Sequence, residues 1–201
     1  MSSQPDARAL TPSQTVGPFF HDCLLGAGAR CDALAGGHDS DGGQRIEVYG
    51  CVRDGDSAGV PDAVLELWQA DGLGVYHHPA DARWTGRSDF SGFGRVGTDD
   101  DGRFSFTSVL PGRVPCDGSR QAPHINIAIF ARGLLNHLFT RMYFPDEPSN
   151  DTDVVLLRVP PSRRSTLIAT AVPQPDASSA RAYRFDIVLQ GRDETVFFAI
   201  A

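Results

Sequence analysis

The sequence of 201 residues carries 25 acidic and 18 basic residues, so its formal net charge is −7. All 18 basic residues are arginine, which excludes chemistry that needs a lysine, such as a Schiff base to pyridoxal phosphate or a phosphate-loop lysine. The acidic balance also argues against general binding of nucleic acid. A chain of this length suits one domain with a sizeable core.

The first 44 residues predict an extended N-terminal arm and a loop rather than part of a sheet. Residues 1–20 hold three prolines and no strand pattern, and residues 26–44 are rich in glycine, aspartate and alanine. We therefore expect 1–44 to pack on a partner chain and 45–201 to form the folded domain. The N-terminus shows no basic segment followed by an apolar one, which a secretion signal would have, and the sequence contains no apolar stretch of about 18 residues. We therefore expect a soluble, cytoplasmic protein.

From residue 45 onward the pattern is one of short strands separated by turns. Apolar and polar residues alternate at period two in several runs, and the 21 glycines and 14 prolines fall largely between them. The predicted strands are 45–52, 63–69, 102–109, 125–131, 138–144, 154–159, 166–172, 183–190 and 195–200. Such strands indicate an all-β fold, either an antiparallel β-sandwich or a barrel. Residues 71–98 are predicted to be a long loop packed by its aromatic side chains.

Two positions in the chain are candidates for metal chemistry. His124 and Asn126 share one face of a strand, where two histidines would bind a metal side by side, but an amide is a poor ligand for transition metals. The residues alone favour a histidine that is held by hydrogen bonds in a packed sheet. Tyr76 offers an oxygen ligand for ferric iron, although a lone tyrosine in a loop is more often a packed ring with a hydrogen-bonded hydroxyl group. The adjacent His77 and His78 are interpreted as surface or packing residues.

Arg132 is a candidate for binding an anion. It follows an apolar run and precedes Gly133, so it lies where a predicted strand leaves the sheet. A guanidinium group in that position can bind a carboxylate through two hydrogen bonds. The alternative is a structural ion pair with one of the 25 acidic residues, and the residues alone favour it.

Several segments occur in an order that resembles the intradiol ring-cleavage dioxygenases. The last of them is the C-terminal run 183–198, and together they cover nearly the whole chain. The other segments are LTPSQTVGPF at 10–19, VLELWQAD at 64–71, GRVGTDDDGRF at 94–104, LPG at 110–112, APHINI at 122–127, FARG at 130–133 and YFPD at 143–146. The resemblance implies a β-sandwich, with long loops and an extended N-terminal arm.

The resemblance also implies a non-haem ferric iron held by two tyrosines and two histidines. The four matching positions here are Tyr76, Val114, His124 and Asn126, and the arginine expected near the first histidine is replaced by Gln121. Valine supplies no donor atom, and the remaining groups are a poor set for ferric iron. We therefore expect a vestigial metal site, with no bound metal and no catalytic residue in this chain.

Such a departure resembles the iron-free subunit of the two-subunit members of the family. The resemblance then implies a homologous partner subunit that carries the Fe3+, a higher hetero-oligomer, and a reaction of O2 with an aromatic carboxylate that bears two adjacent hydroxyl groups. This chain would complete the substrate pocket with Thr15, Gly17, Pro18 and Arg132. A glycine allows the backbone to approach a ligand closely, and an arginine attracts a carboxylate.

Two other interpretations stay open. The chain could be a non-catalytic β-sandwich binding or scaffold module of dioxygenase descent, which would share the core motifs but need not retain Thr15, Gly17, Pro18 and Arg132. It could also be a self-sufficient iron enzyme with substitute ligands, which the valine at position 114 disfavours.

Overall fold

The structure, a computed structural model, describes seven segments of the chain: residues 11–17, 19–25, 43–86, 90–116, 118–145, 147–173 and 180–199. In chain order the elements are α1 (Phe20–Leu25), β1 (Arg45–Arg53), β2 (Val64–Trp68), β3 (Phe93–Gly97), β4 (Arg103–Val109), β5 (Val114–Cys116), β6 (Ser119–Gln121), β7 (His124–Phe130), β8 (Leu138–Tyr143), β9 (Thr170–Val172), β10 (Arg181–Arg184) and β11 (Ile187–Val188). Three 3-10 helices lie between β8 and β9, at Pro148–Thr152, Leu156–Arg158 and Pro161–Leu167.

The first sheet is built around β1. This strand pairs antiparallel with β4, from Arg45 opposite Val109 to Cys51 opposite Arg103. It also pairs parallel with β10 and, further along, with β11. The strand β9 extends this sheet by antiparallel pairing with β10.

The second sheet carries the candidate site. Its strand order is β3-β2-β7-β8, and every neighbouring pair is antiparallel. The strands β5 and β6 form a separate small hairpin, in which Val114 lies opposite Gln121. This hairpin leads directly into β7, so it brings Val114 close to the start of that strand.

The two sheets pack face to face around one apolar core. Ile46 of β1 and Phe106 of β4 lie in the same buried cluster as Leu65 of β2 and Ile127 of β7. Complete burial of each such side chain contributes about 1.5–3 kcal/mol before the entropy of ordering is subtracted. Because side chains alternate across a strand, the residues between these core positions point away from the core. On the second sheet those outward positions form the site described below.

The all-β sandwich predicted from the sequence is confirmed, with corrections in detail. The parallel pairing of β1 departs from a purely antiparallel sandwich. Residues 154–159 were expected to form a strand, but they contain a 3-10 helix, because the Asp153 carboxylate accepts hydrogen bonds from the backbone N–H groups of Val155 and Leu156 and turns the chain. The expected strand 195–200 forms only an isolated bridge at Phe198 within its described part. The predicted loop 71–98 contains β3, whose two glycines had weakened the strand pattern.

The described helices include none that is long and apolar enough to cross a membrane.

Candidate functional site

A row of four side chains crosses the outer face of the second sheet. Phe93 of β3 lies opposite Trp68 of β2, Trp68 lies opposite Asn126 of β7, and Asn126 lies opposite Arg141 of β8. All of them are half-buried or exposed, because they point away from the core. The row places an apolar surface and a positive charge side by side.

Tyr76 lies over this row and reaches the two candidate residues of β7. Its ring stacks on the Trp68 ring at 5.6 Å between centroids and 8° between planes. Its hydroxyl oxygen is 3.4 Å from His124 Nε2 and accepts a hydrogen bond of 3.3 Å from Asn126 Nδ2. The fold therefore brings together three of the four positions that the resemblance assigns to metal ligands.

The hydrogen bonds define the protonation of this cluster. His124 Nδ1 lies 2.7 Å from the carbonyl oxygen of Ala122, so Nδ1 carries the proton and Nε2 accepts from the Tyr76 hydroxyl group. Burial, reinforced by the charge of Arg141, lowers the pKa of His124 to about 4. Burial also raises the pKa of Tyr76, against the opposing effects of the Asn126 hydrogen bond and of Arg141. At neutral pH the imidazole and the phenol are both uncharged.

A buried carboxylate holds the start of β7 in place. Asp153 is fully buried, and its Oδ2 accepts a hydrogen bond of 2.8 Å from the N–H of Ala122. Its Oδ1 accepts one of 3.0 Å from the hydroxyl group of Tyr143, the residue opposite His124 on β8. Burial raises the pKa of Tyr143, so this hydroxyl group remains a donor. Sequence reasoning missed Asp153, because nothing in its local pattern separates it from the neighbouring acidic residues.

The fourth position, Val114, contributes only an aliphatic surface. Val114 is buried and, with Gln121, Tyr76 and Arg141, lines a cleft of about 590 Å³ that runs beside Asn126. Gln121 Oε1 accepts a hydrogen bond of 2.9 Å from Arg141 Nη1. The resemblance predicts an arginine at position 121. The guanidinium group that Gln121 contacts is that of Arg141 on β8, and Arg83 also lines this cleft.

These residues do not fit ferric iron. The His124 Nε2 lone pair already accepts from Tyr76, and Asn126 Nδ2 donates to Tyr76 and to the carbonyl oxygen of Trp68. A ferric ion needs anionic oxygen or unpaired nitrogen donors, and Val114 offers neither. Within the described part of the chain, no group of three or more His, Cys, Asp and Glu side chains is arranged to hold a metal ion.

The loop that carries Tyr76 is fixed by two carboxylates. Asp71 accepts from the N–H groups of Leu73 and Val75 and lies 3.0 Å from His77 Nε2, which confirms that His77 is a packing residue. Asp81 accepts from the N–H of Tyr76 at 3.0 Å and is paired with Arg83. The Arg83 hydrogen bonds lower the pKa of Asp81 to about 2, so the loop is held by an ionised carboxylate at neutral pH.

A second cluster lies beyond the opposite end of β7. Arg132 is paired with Asp62, with 2.9 Å between Nη2 and Oδ2, and its side chain is 50% exposed. The Thr15 hydroxyl oxygen accepts a hydrogen bond of 2.7 Å from the N–H of Gly133, whose positive φ of 90° favours glycine. The ion pair expected as the alternative for Arg132 is therefore present, and the contact with Thr15 joins the N-terminal arm to the same place.

Gly17 and α1 complete the described part of the arm. A Cβ atom added at Gly17 would meet no atom within 4 Å, so the packing of this chain does not require a glycine there. The Phe20 ring of α1 lies 5.5 Å from the Phe130 ring at the end of β7. Pro18 and most of the loop 26–44 lie outside the described residues. Packing of the arm on a partner chain stays a prediction.

The two clusters are far apart along one strand. His124 is the first residue of β7, and Arg132 follows its last residue, Phe130, by two positions. Six residue steps of extended strand span roughly 20 Å. Thr15, Gly17 and Arg132 therefore cannot act on a molecule in the Tyr76 cleft of the same chain.

Comparison with known proteins places this fold and site in a class. A model of the Dioxygenase family matches residues 16–191. The chain belongs to this dioxygenase family. Among solved structures it is similar to the dioxygenase domain of a dioxygenase–carbohydrate-binding protein fusion from Streptomyces sp. SirexAA-E, with 28% identity, a TM-score of 0.60, and coverage of 90% of this chain and 99% of that one. It shares the fold of 3-chlorocatechol 1,2-dioxygenase from Rhodococcus opacus 1CP, with 20% identity, a TM-score of 0.63, and coverage of 81% and 67%.

Curated relatives give a more specific similarity than the family model does. The chain is 44% identical to the protocatechuate 3,4-dioxygenase alpha chain of Burkholderia cepacia, over 94% of this chain and 97% of the relative. It is 40% identical to the alpha chain from Pseudomonas putida, over 94% and 95%. Identity to the beta chain of the Burkholderia cepacia enzyme is 32%, over 91% of this chain and 77% of that chain. The intradiol dioxygenase resemblance of the sequence is thereby confirmed.

Proposed function

We propose that this chain is the iron-free alpha subunit of a protocatechuate 3,4-dioxygenase. In the complete enzyme, a homologous beta subunit holds a ferric ion and this chain completes the substrate pocket. The substrate is 3,4-dihydroxybenzoate, which is cleaved with O2 between its hydroxyl-bearing carbons to give 3-carboxy-cis,cis-muconate. Identity of 44% and 40% to two alpha chains supports this assignment.

The observation that carries the proposal is the separation of the two clusters. The Tyr76 cleft has replaced metal donors by a neutral network of hydrogen bonds. The Thr15 and Arg132 cluster lies at the other end of β7, away from the four positions that the resemblance assigns to metal ligands. A cluster that can bind an anion but has no reacting centre of its own supports a site shared with a second chain.

The roles of this chain's residues in the shared site follow from their exposure. The guanidinium group of Arg132 has five N–H donors, and among the described residues it donates to Asp62 from Nη2. The remaining donors can hold the carboxylate of the substrate. A Cβ atom added at Gly17 would meet no atom within 4 Å, so the backbone of the arm can approach a ligand closely there. Thr15 anchors the arm beside Arg132.

Purification and co-expression test the proposal. We expect the isolated chain to contain much less than one iron per chain, to lack the visible absorption of iron–tyrosinate coordination, and to consume no O2 with 3,4-dihydroxybenzoate. Co-expression with a homologous chain that has the complete set of two tyrosines and two histidines should give a stable complex with iron and O2 uptake.

The alternative interpretation, in which this chain is a scaffold that takes no part in the substrate site, predicts a different result. In that case the partner alone would oxidise the substrate as well as the complex does. One tightly bound ferric ion in the isolated chain would contradict the proposal directly, and so would a complex whose KM is insensitive to the Thr15 and Arg132 cluster.

A further inference from the structure

A cavity of about 450 Å³ opens at one edge of the sandwich, between β10 of the first sheet and the turn that follows β8 of the second. We call it the edge cavity, and its size lies within the range of small-molecule sites. It shares no described lining residue with the Tyr76 cleft, and neither Thr15 nor Arg132 borders it. The function proposed above therefore does not account for this cavity.

Hydrogen bonds of the backbone fix the walls of the edge cavity. The N–H of Ala169 donates to the carbonyl oxygen of Tyr143 at 2.9 Å, which joins the segment before β9 to the end of β8. Asn150 Nδ2 donates to the carbonyl oxygen of Phe144 at 2.8 Å and holds the turn that follows β8. A cavity with walls held in this way exists before a ligand arrives, so little entropy is lost in ordering it.

Tyr183 brings a hydroxyl group without a described partner into the edge cavity. The residue is only 5% exposed, and its ring packs edge-on against Phe144 at 5.0 Å between centroids. Three enclosed side-chain atoms in the described part of the chain lack a partner, namely Thr107 Oγ1, Asn150 Oδ1 and Arg163 Nε. The Tyr183 hydroxyl oxygen makes no hydrogen bond to a described residue and is not one of these enclosed atoms, so it is open to the cavity that Tyr183 lines. A hydroxyl group on so buried a ring usually has a partner.

Two opposite charges stand at the mouth of the edge cavity without meeting each other. Arg181 lies two residues before Tyr183 on β10, so its side chain leaves the strand on the same side. Its guanidinium group makes no ion pair or hydrogen bond with a described residue. Glu147, in the turn after β8, accepts from Ser149 through Oε1, which leaves Oε2 without a partner among the described residues. The mouth therefore offers both a cation and a carboxylate oxygen to one ligand.

The interior of the edge cavity is apolar. Leu110, Pro123 and Pro145 line it together with the buried Phe144 ring. An α-amino acid carries its ammonium and carboxylate groups at one end and its side chain at the other, so an aliphatic amino acid matches charges at the mouth and an apolar interior. A simple carboxylate would be repelled by Glu147, and a simple amine would be repelled by the guanidinium group, whereas a zwitterion meets an opposite charge on each side.

We propose that the edge cavity binds a small aliphatic amino acid as its zwitterion, with the carboxylate on Arg181 and the Tyr183 hydroxyl group and the ammonium group on Glu147. The site lies within one chain, and the bound amino acid undergoes no chemical change. Because it binds the folded chain only, the amino acid also raises the melting temperature of that chain by mass action.

Calorimetric titration of the purified full chain with L-leucine tests this site. Leucine should bind with a Kd of about 1 mM. The compound 4-methylpentanoate lacks only the ammonium group of leucine, and 3-methylbutylamine lacks only the carboxylate. Each should bind at least about 10-fold more weakly, because a hydrogen bond between charged groups contributes that factor or more.

Three variants and a matched control locate the ligand. Arg181→Gln and Glu147→Gln should each weaken the binding of leucine at least about 10-fold. Tyr183→Phe removes a hydroxyl group that has no described partner, so it should weaken leucine about 3- to 10-fold and leave the melting temperature of the ligand-free chain unchanged, which loss of a structural hydrogen bond would lower. Arg184→Gln is the control, since Arg184 lies on the same strand but is paired with Asp186, and it should leave the Kd unchanged.

The contrary outcomes are distinct. Equal affinity for the three compounds, or no binding of leucine at about 10 mM, would overturn the inference and leave only water as the partner of the Tyr183 hydroxyl group. Equal weakening by Arg181→Gln and Arg184→Gln would assign the binding to the net charge of the chain and overturn it too. If a variant does not fold, the comparison of the three compounds on the unaltered chain still decides. None of these results bears on the proposed function, which is tested by iron content and O2 uptake of the complex.

Discussion

Replacing Arg132 by alanine in the assembled enzyme is expected to raise the KM for 3,4-dihydroxybenzoate about 10- to 100-fold. A hydrogen bond between charged groups contributes about 1.5–3 kcal/mol, and each 1.4 kcal/mol corresponds to a factor of ten. Iron content should not change, because in the proposed function the partner subunit holds the ion and Arg132 contacts the carboxylate of the substrate rather than the metal. Steady-state O2 uptake against substrate concentration measures the effect.

The controls for Arg132 use both another substrate and another arginine. Unsubstituted catechol has no carboxylate, so its KM should change by less than about twofold in the same variant. Arg103→Ala removes another exposed arginine, which is paired with Asp101, and it should leave both KM values unchanged. Arg132→Lys keeps the charge but loses the planar fork, so an intermediate KM is expected. An equal rise in KM for catechol and for the carboxylate substrate would remove Arg132 from carboxylate binding.

Lowering the pH from 7 to 4 is expected to reduce the free energy of unfolding by roughly 3 kcal/mol through His124 alone. The pKa of a histidine in the unfolded chain is about 6.5, and burial lowers the pKa of His124 in the folded chain to about 4. Between these values the unfolded chain binds a proton that the folded chain does not. Stability from this group is therefore complete above about pH 6.5 and is lost as the pH falls towards 4. Urea denaturation at a series of pH values measures the loss.

Variants separate His124 from the other titrating groups. His124→Gln should be less stable at pH 7 but should lose much less further stability down to pH 4. His137→Gln alters an exposed histidine, so its free energy of unfolding should depend on pH in the same way as that of the unaltered protein. Asp81, with its pKa of about 2, contributes a loss only below about pH 4, outside this window. If the free energy of unfolding falls with pH equally in His124→Gln and in the unaltered protein, His124 is not the group responsible for the loss of stability.

The strands with clear alternation were predictable, and the turns fixed by a buried side chain were not. Runs such as Phe104-Ser105-Phe106 carry the two-residue period of a half-buried strand, and they form β4. Residues 154–159 are equally apolar, but the Asp153 carboxylate binds their first N–H groups and imposes a turn. These two contacts are local, but the same carboxylate is also held by the N–H of Ala122 and the hydroxyl group of Tyr143, which lie 31 and 10 positions away, and a local pattern does not contain those contacts.

The candidate site was predictable in its residues but not in its arrangement. The family resemblance picked out positions 76, 114, 124 and 126, and the residue types there led to the prediction that they do not hold ferric iron. The hydrogen bond between Tyr76 and His124 joins residues 48 positions apart, and the pairing of Arg132 with Asp62 joins residues 70 apart, so both required the fold. Whether Thr15, Gly17, Pro18 and Arg132 bind the substrate stays a prediction.

The Tyr76 ring stacks on Trp68, and its hydroxyl group lies between His124 and Asn126. These contacts join the segment around Tyr76 to the sheet through protein atoms alone. In a metalloprotein the ion often supplies such a cross-link, and the fold then depends on metal supply. In the proposed function the iron belongs to the partner subunit, so we expect this chain to fold and to stay folded in a cell that is starved of iron. A chelator should therefore abolish activity of the complex while leaving the melting temperature of this chain unchanged.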